Sequence, residues 1–361
     1  MFLSRLDTLQ FRNLEPTRLE LDPGVVLITG PNGSGKTSLL EAVAMLGSGR
    51  SFRSNRMSAV IRYGASSLTV FGALRGSPQA HVTIGITRER SGVAQIKVAG
   101  EMVRTASELA AVLPVQVIDP ASVALVTEGP SVRRRYLDWG TFHVEPSFFR
   151  AWREYRRCLE QRNALLRSGA SAAQFELWER QLADAAEKID DMRRRYVDAL
   201  MPQVLFALNE LGGAEDMSVN YVRGWETGLD LGAVLEGTRS IDREAGYTRA
   251  GPHRADLRFV AAGRKAADVL SRGQQKVLAC ALLLAQARQL EFATEKTGIY
   301  LVDDPAAELD EARRLRLGKA LTAMKGQVWV TAVQADLMLD GLGDASRLTR
   351  FHVERGCVST I

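Results

Sequence analysis

Gly30, Pro31, Asn32, Gly33, Ser34, Gly35, Lys36 and Thr37 follow the spacing G-x-x-x-x-G-K-[ST], and the chemistry that spacing serves is the cradling of a nucleotide's phosphates. Glycines let successive backbone N–H groups curl around the phosphates without interference from Cβ, and a following helix adds the partial positive charge of its N-terminus. In that arrangement Lys36 meets the β- and γ-phosphates and Thr37 offers its hydroxyl to Mg²⁺. ATP with Mg²⁺ is therefore the expected ligand. Far downstream, Gly298-Ile-Tyr-Leu-Val302 is an apolar run ending in Asp303 and Asp304. Asp303 can reach the Mg²⁺ shell, and Asp304 can polarise an attacking water as general base, so Lys36, Asp303 and Asp304 form the candidate catalytic set. Two acids at a strand end can equally cap a helix; the P-loop upstream favours the metal reading. Between these motifs, Ser271, Gly273 and Gln274 precede a strongly helical run from Val277 to Leu290. This is a second phosphate-binding helix end. One γ-phosphate does not need two, so this one is expected to serve another molecule's ATP.

Those residues need elements to hold them. Gly24-Val-Val-Leu-Ile-Thr29 reads as a buried strand stopping at Gly30, and Leu39, Leu40, Val43, Ala44 and Leu46 suit a helix that starts inside the glycine-rich stretch. Leu6 to Leu21 reads as two short strands around Phe11-Arg12-Asn13, and Ser67 to Val98 as an antiparallel meander. The period then changes. Phe148, Trp152, Tyr155, Leu159 and Leu166, and again Phe175, Trp178, Leu182, Ala185, Ile189, Met192, Tyr196 and Ala199, recur at helical steps on either side of a turn at Ser168-Gly-Ala-Ser171. A helical insertion of about 25 residues per helix, about 38 Å long, is expected. It would divide the chain into residues 1–140 with the P-loop and meander, a helical arm at 141–215, and 216–361 with the second helix end and the acids.

Composition narrows the classes. The 361 residues are 46% hydrophobic and 25% charged, and no apolar run approaches the roughly 20 residues of a membrane span. The N-terminus lacks a long apolar segment ending in small residues, so export is not expected. Three scattered cysteines, Cys158, Cys280 and Cys357, indicate neither a disulfide framework nor a metal-binding pair, and a cytoplasmic setting fits. The net charge of +5 is mild, but acid-free clusters occur at Arg50–Arg56, Arg133–Arg135 and Arg193–Arg195. Each is open to two readings, contact with nucleic-acid phosphates or a solvated face. Arg50, Arg53 and Arg56 are the first choice for DNA.

The order P-loop, long insertion, Ser-x-Gly-Gln before a helix, then an acidic strand followed by Glu308-Leu309-Asp310 resembles the head domain of ABC-type ATPases of the SMC class. More closely, the chain resembles the RecF family of bacterial DNA repair and recombination ATPases. The resemblance runs through Phe11-Arg-Asn-Leu14, Gly30 to Thr37 with Leu40-Glu-Ala42, Gly49-Arg-Ser-Phe-Arg53, Arg133-Arg-Arg-Tyr-Leu-Asp138, Gly251-Pro-His-Arg254, Leu270-Ser-Arg-Gly-Gln274 and Asp303-Asp304. It implies an α/β fold with a mixed-sheet ATPase lobe and a helical arm lobe, and head-to-tail homodimers closing over two ATP molecules. It further implies slow ATP hydrolysis and binding to double-stranded DNA at junctions with single strand. Work with RecO and RecR in loading RecA follows, in recombinational repair, replication-fork restart and the SOS response, at a cytoplasmic, nucleoid-associated location without a membrane. By position, Ser271, Gly273 and Gln274 become contacts to the opposite subunit's ATP, Arg12 and Asn13 lie near the nucleotide, and Asp310 lies at the dimer seam or simply caps a helix.

The chain departs from the pattern at several points. Asp304 stands where many ABC ATPases have Glu, and Ala306 where a Ser is common. The switch histidine is absent, leaving Thr331 or Gln334 as stand-ins, and Gln116 is the candidate for the Q-loop. His253 is expected to fix a turn. Two other classes share the P-loop: an SMC-like ATP-binding scaffold without direct DNA contact, and a small-molecule P-loop kinase. A kinase has no need of the Ser271–Gln274 turn.

Overall fold

The computed structural model of the chain describes residues 1–76, 81–168, 170–213, 216–294, 296–305, 309–343 and 348–361. Ala306, Ala307 and Glu308, from the stretch after the two acids, lie outside them. Two compact units result, one of Met1–Val123, Phe206–Gly213 and Arg272–Ile361, the other of Ala124–Leu205 and Ala214–Ser271. The second unit takes in residues on both sides of the span 141–215.

In the first unit, a strand buried on both faces reads as an unbroken apolar run, and Val25–Thr29 (β3) is buried at all five positions. With Val115–Ile118 (β8), Ile299–Val302 (β12), Gln327–Ala332 (β13), Leu348–Glu354 (β14) and Cys357–Thr360 (β15) it forms a six-stranded sheet of order β15-β14-β3-β13-β12-β8. Its pairings are parallel except the edge pair β14 and β15. Register sets Thr331 beside Ile28 and Val302 beside Val330. The ends of β3, β12 and β13 therefore emerge on one edge, where ligands gather in open parallel sheets.

The second sheet of this unit is antiparallel. Phe2–Leu9 (β1), Thr17–Glu20 (β2), Ser67–Arg75 (β4), Val82–Glu89 (β5), Ala94–Val98 (β6) and Glu101–Met102 (β7) run in the order β2-β1-β4-β5-β6-β7, which includes the two N-terminal strands and the meander expected from the sequence. The helix Lys36–Ser48 is buried along nearly its whole length and touches both sheets. A Cβ on Gly72 of β4 would lie 2.6 Å from Leu46 Cδ1, and one on Gly47 would lie 2.4 Å from a methyl of Val115 on β8. Only hydrogen fits at either contact. The helix Arg272–Thr294 is long and apolar enough to cross a membrane, but 72% of its most apolar window is buried inside the protein, as in a core helix.

The second unit combines helices with a three-stranded antiparallel sheet, in which Asp256–Ala261 lies between Arg264–Lys265 and Met217–Val222. Phe148–Ser168 and Ala172–Leu211 pack along the two seams, bringing Phe148, Tyr155 and Leu159 into one core with Leu182, Ile189 and Met192. The latter helix has 40 residues and continues through Pro202, well past the 25 expected from the seam, whose marked period stops at Ala199. Arg162 is fully buried at the centre of this unit, donating to Glu179 at 3.0 Å, Asp242 at 2.7 Å, the Thr248 hydroxyl at 2.8 Å and the Leu235 carbonyl at 3.0 Å. Its guanidinium has five donors, and this fork of acceptors is what makes its burial tolerable.

His253 follows the same logic in neutral form. Its Nε2–H donates to the Thr248 carbonyl at 3.0 Å, so Nδ1 accepts from the Tyr155 hydroxyl at 2.5 Å. Burial pulls the His253 pKa down to about 4, and burial pushes the Tyr155 hydroxyl up. A lowered folded-state pKa means that the unfolded chain binds the proton more readily. The contribution of His253 is thus fully present above its ordinary value of 6.5 and declines as pH falls toward about 4. His253→Gln is expected to remove up to about 3 kcal/mol of pH-dependent stability across that window. Denaturant midpoints at pH 7 and pH 5 check this: the variant's difference between the two should be smaller than the parent's.

Candidate functional site

Where β3 ends, Gly30 takes φ +146°, and a Cβ there would lie 2.1 Å from the Val353 carbonyl oxygen of β14. The same hairpin holds the loop again at Gly356, at φ +83°, whose N–H donates to the Ser34 carbonyl at 2.8 Å and whose own Cβ would collide with the Asn13 carbonyl oxygen at 2.0 Å. Gly33 and Gly35 also have positive φ, +76° and +122°. The helix that follows begins at Lys36 without a side-chain cap among the described residues, which leaves its first N–H groups to a ligand. Ser34 Oγ is buried and has no hydrogen-bond partner among the described residues.

Asn13 and Arg12 brace this loop. Asn13 donates to the Gly33 carbonyl at 3.2 Å and accepts from the Ser38 hydroxyl at 2.9 Å. Arg12 makes a bidentate pair with Glu41, at 2.8 and 2.7 Å, and donates to the Ala59 carbonyl at 2.8 Å. Glu41 is fully buried; it also accepts from the Ser51 hydroxyl and lies 4.0 Å from Arg53. Glu41 carries no motif of its own, and only its place in Leu40-Glu-Ala42 sets it apart in the sequence.

The side chains expected to meet ATP and Mg²⁺ come together on the shared edge of the parallel sheet. Thr37 Oγ1 lies 2.9 and 3.0 Å from the two Asp303 oxygens, Thr331 Oγ1 donates to Asp303 at 2.8 Å, and the Asp304 N–H donates to Thr331 Oγ1 at 2.9 Å. Lys36 Nζ donates to the carbonyls of Gly30 at 2.7 Å and Pro31 at 3.0 Å. Burial lowers the Lys36 pKa, while the nearby carboxylates of Asp304 and Asp303 raise it. A cavity of about 600 Å³ is lined by Arg12, Asn13, Asn32, Gly33, Gly35, Lys36, Thr37, Asp303 and Asp304 together with Arg53, Arg90, Ser58, Ala59, Ile61 and Tyr63. Mg²⁺ takes hard oxygen ligands in octahedral geometry at about 2.0–2.1 Å, which sets neighbouring ligands about 2.9 Å apart. The Thr37 hydroxyl and the Asp303 carboxylate have that chemistry and that separation, so they fit the ion.

Other expected residues lie elsewhere. Gly273 and Gln274, at the start of the helix Arg272–Thr294, do not line the cavity, and Ser271 belongs to the second unit. Gln116 is buried on β8, its amide donating to Gln286 at 3.1 Å, so it is a core residue rather than a Q-loop. Of the two switch stand-ins, Thr331 is bonded into the site, whereas Gln334 is exposed and does not line the cavity. Asp310 caps the helix Glu311–Thr322, accepting from the Arg313 N–H at 2.9 Å.

The two later arginine clusters each combine a buried member with exposed ones, Arg135 in the first and Arg194 and Arg195 in the second. Arg133 is bidentate to Asp256 at 2.7 and 3.0 Å, Arg134 donates to the Ala255 carbonyl at 2.9 Å, and fully buried Arg193 holds Asp138 at 3.0 and 2.6 Å. Arg194 pairs with Asp190, and Arg195 with Glu145 and Asp191. Arg50, Arg53 and Arg56 are exposed.

The family described as RecF/RecN/SMC N terminal domain matches residues 2–359. The DNA replication and repair protein RecF of Pseudomonas fluorescens strain Pf0-1 is 42% identical over 99% of this chain and 98% of its own length, and that of Pseudomonas aeruginosa strain UCBPP-PA14 is 43% identical over the same shares. Among solved structures, the recombination mediator protein RecF-ATP of the RecFOR pathway aligns over 100% of this chain and 97% of its own, with a TM-score of 0.87 and 26% identity. An SMC head bound to the C-winged helix domain of ScpA shares the fold, with a TM-score of 0.61 at 15% identity over 100% of this chain and 97% of its own.

Thr331 is the joint between the two acids. Thr331→Val keeps the shape but leaves the Asp304 N–H without its acceptor and removes a donor to Asp303, a change expected to cost about 1–3 kcal/mol. Chemical denaturation checks this, with Thr331→Ser expected to restore most of the difference.

Proposed function

The chain belongs to the RecF family, and from that premise we propose that it is an ATP-dependent DNA-binding protein of recombinational repair, two copies of which close head to tail over two ATP molecules. The closed dimer holds duplex DNA beside a single-stranded gap, and hydrolysis releases it. The observation that carries this reading is the gathering of Lys36, Thr37, Asp303 and Asp304 around one cavity. That Gly273 and Gln274 do not line it supports a composite site, in which they and Ser271 meet the ATP of the opposite copy.

In this mechanism the P-loop amides and Lys36 bind and orient the triphosphate. Thr37 and Asp303 would hold Mg²⁺, whose charge offsets the negative charge that builds on the phosphates. Asp304 takes the proton from the attacking water as general base, and Thr331 keeps its backbone in place. Asp304 is one methylene shorter than Glu, and slow turnover follows from the shorter reach. RecO and RecR are the proposed partners, and loading of RecA onto gaps the proposed outcome, in replication-fork restart and the SOS response as well as repair. The proposed setting is the cytoplasm, on the nucleoid.

Two experiments test the reading. With ATP present, Ser271→Arg should leave the chain monomeric in analytical ultracentrifugation while its affinity for ATP stays within about twofold of the parent; ATP-driven dimers at parental levels would sink the composite site. Arg50→Gln with Arg56→Gln should weaken binding to gapped duplex DNA and lower the slope of log affinity against log salt by about 0.9 for each DNA phosphate that the arginines no longer neutralise. An unchanged slope would remove these residues from the DNA surface.

A further inference from the structure

Tyr63 is fully exposed, at 101% of its reference area, yet it lines the same cavity as Lys36 and Asp303. An aromatic ring left wholly in water gains nothing from folding, and solvated rings on mobile loops are common. This loop is fastened on every side. Arg90, which enters from the turn after β5, donates to the carbonyls of Ala65 at 3.0 Å, Ser58 at 3.2 Å, Arg62 at 3.0 Å and Ile61 at 3.5 Å. Arg62 pairs with Glu15 at 3.2 and 2.5 Å. Phe11 and Ile61 form a β-bridge, flanked by Arg12 N–H to the Val60 carbonyl at 2.8 Å and Arg62 N–H to the Gln10 carbonyl at 2.9 Å.

We propose that the Tyr63 ring is the platform on which the base of the bound nucleotide stacks, and that Arg90 is the positioning residue that fixes that platform. This rests on the ATP-binding reading above and extends it to the base. The cavity's lining divides by chemistry. The P-loop, Lys36, Thr37 and the two acids suit a triphosphate and its cation; Ala59, Ile61 and Tyr63 supply an apolar surface suited to a flat ring. With the phosphates fixed by Lys36, the base is the part of the ligand left to meet that surface. Stacking on an aromatic face needs no hydrogen-bond readout. A rigid platform also loses little conformational freedom on binding, because the carbonyls around Tyr63 are already held.

The test compares two ligands on the full chain by titration calorimetry with Mg²⁺: ATP, and inorganic tripolyphosphate, which has the phosphates without the base. Tyr63→Ala should weaken ATP about tenfold, a factor equal to about 1.4 kcal/mol, and leave tripolyphosphate within about twofold; Tyr63→Trp should keep ATP affinity. Tyr63 touches no core, so the variant leaves the fold intact. Arg90→Lys, which keeps the charge but not the fork, should show the same selective weakening for ATP. If Tyr63→Ala leaves both affinities unchanged, or lowers both alike, the platform is overturned while the ATP reading stands. If Arg90→Lys changes neither or both alike, its positioning role is overturned. If the parent chain binds neither ligand, the ATP reading falls and this inference falls with it.

Discussion

The hydrogen bonds from Thr37 and Thr331 to the Asp303 carboxylate tie together a helix and two strands that the sequence keeps far apart, by 266 residues in the case of Thr37. They can form because β3, β13 and β12 are parallel neighbours in that order. Parallel register puts the carboxyl ends of all three on one edge, and the residue just beyond each end becomes a neighbour of the others. Were β13 shifted by one residue, Thr331 would point to the other face of the sheet. Asp303 and Asp304 would then lose the hydroxyl they share. The site therefore depends on register before it depends on any motif.

Arginine performs two separate tasks in this chain, and burial distinguishes them. Arg162, Arg133 and Arg193 are enclosed and matched by carboxylates and carbonyls. A buried guanidinium left unmatched would cost several kcal/mol, so these residues are committed to holding the second unit together. Arg12 is intermediate. It reaches the cavity, yet its fork is taken up by buried Glu41. That pair fixes the segment from Gln10 to Asn13 against the P-loop helix, and Asn13 in turn braces the loop at Gly33. Nucleotide affinity in such a site rests on preorganisation, with Glu41 acting on the ligand only through its neighbours.

Local patterns make part of this legible. The buried run of β3, the glycine-rich turn, the two seams of the second unit and the acids after β12 each declare themselves within a few residues, because period and turn chemistry are local properties. Gln116 illustrates the opposite case. Its position before Asp119-Pro120 suggests a loop contact, but the alternation of β8 turns its side chain inward, and its partner Gln286 sits on a helix far along the chain. The tripled arginines are unreadable for the same reason. Whether Arg133 faces water or Asp256 depends on where β10, Asp256–Ala261, packs in the second unit. Arg90 and Tyr63 carry no signal in the sequence, since the importance of Arg90 lies wholly in the loop carbonyls it reaches from the turn after β5.

Asp304 departs from the glutamate that many ABC-type ATPases have at this position, and the backbone supplies a reason. Its φ is +45°, in the left-handed region that aspartate and asparagine enter several times more readily than most side chains. A glutamate could follow that turn only with more backbone strain. The N–H of the same residue is held by Thr331, which fixes the turn and so fixes where the carboxylate starts. A short side chain on a rigid turn samples few positions, whereas a longer one on a looser turn reaches further and samples more. The exchange trades reach for definition. Reach and turn are set together at this residue: a longer acid would lengthen the side chain and strain the turn at once, so Asp304 belongs with Asp303 and Thr331 as one bonded unit.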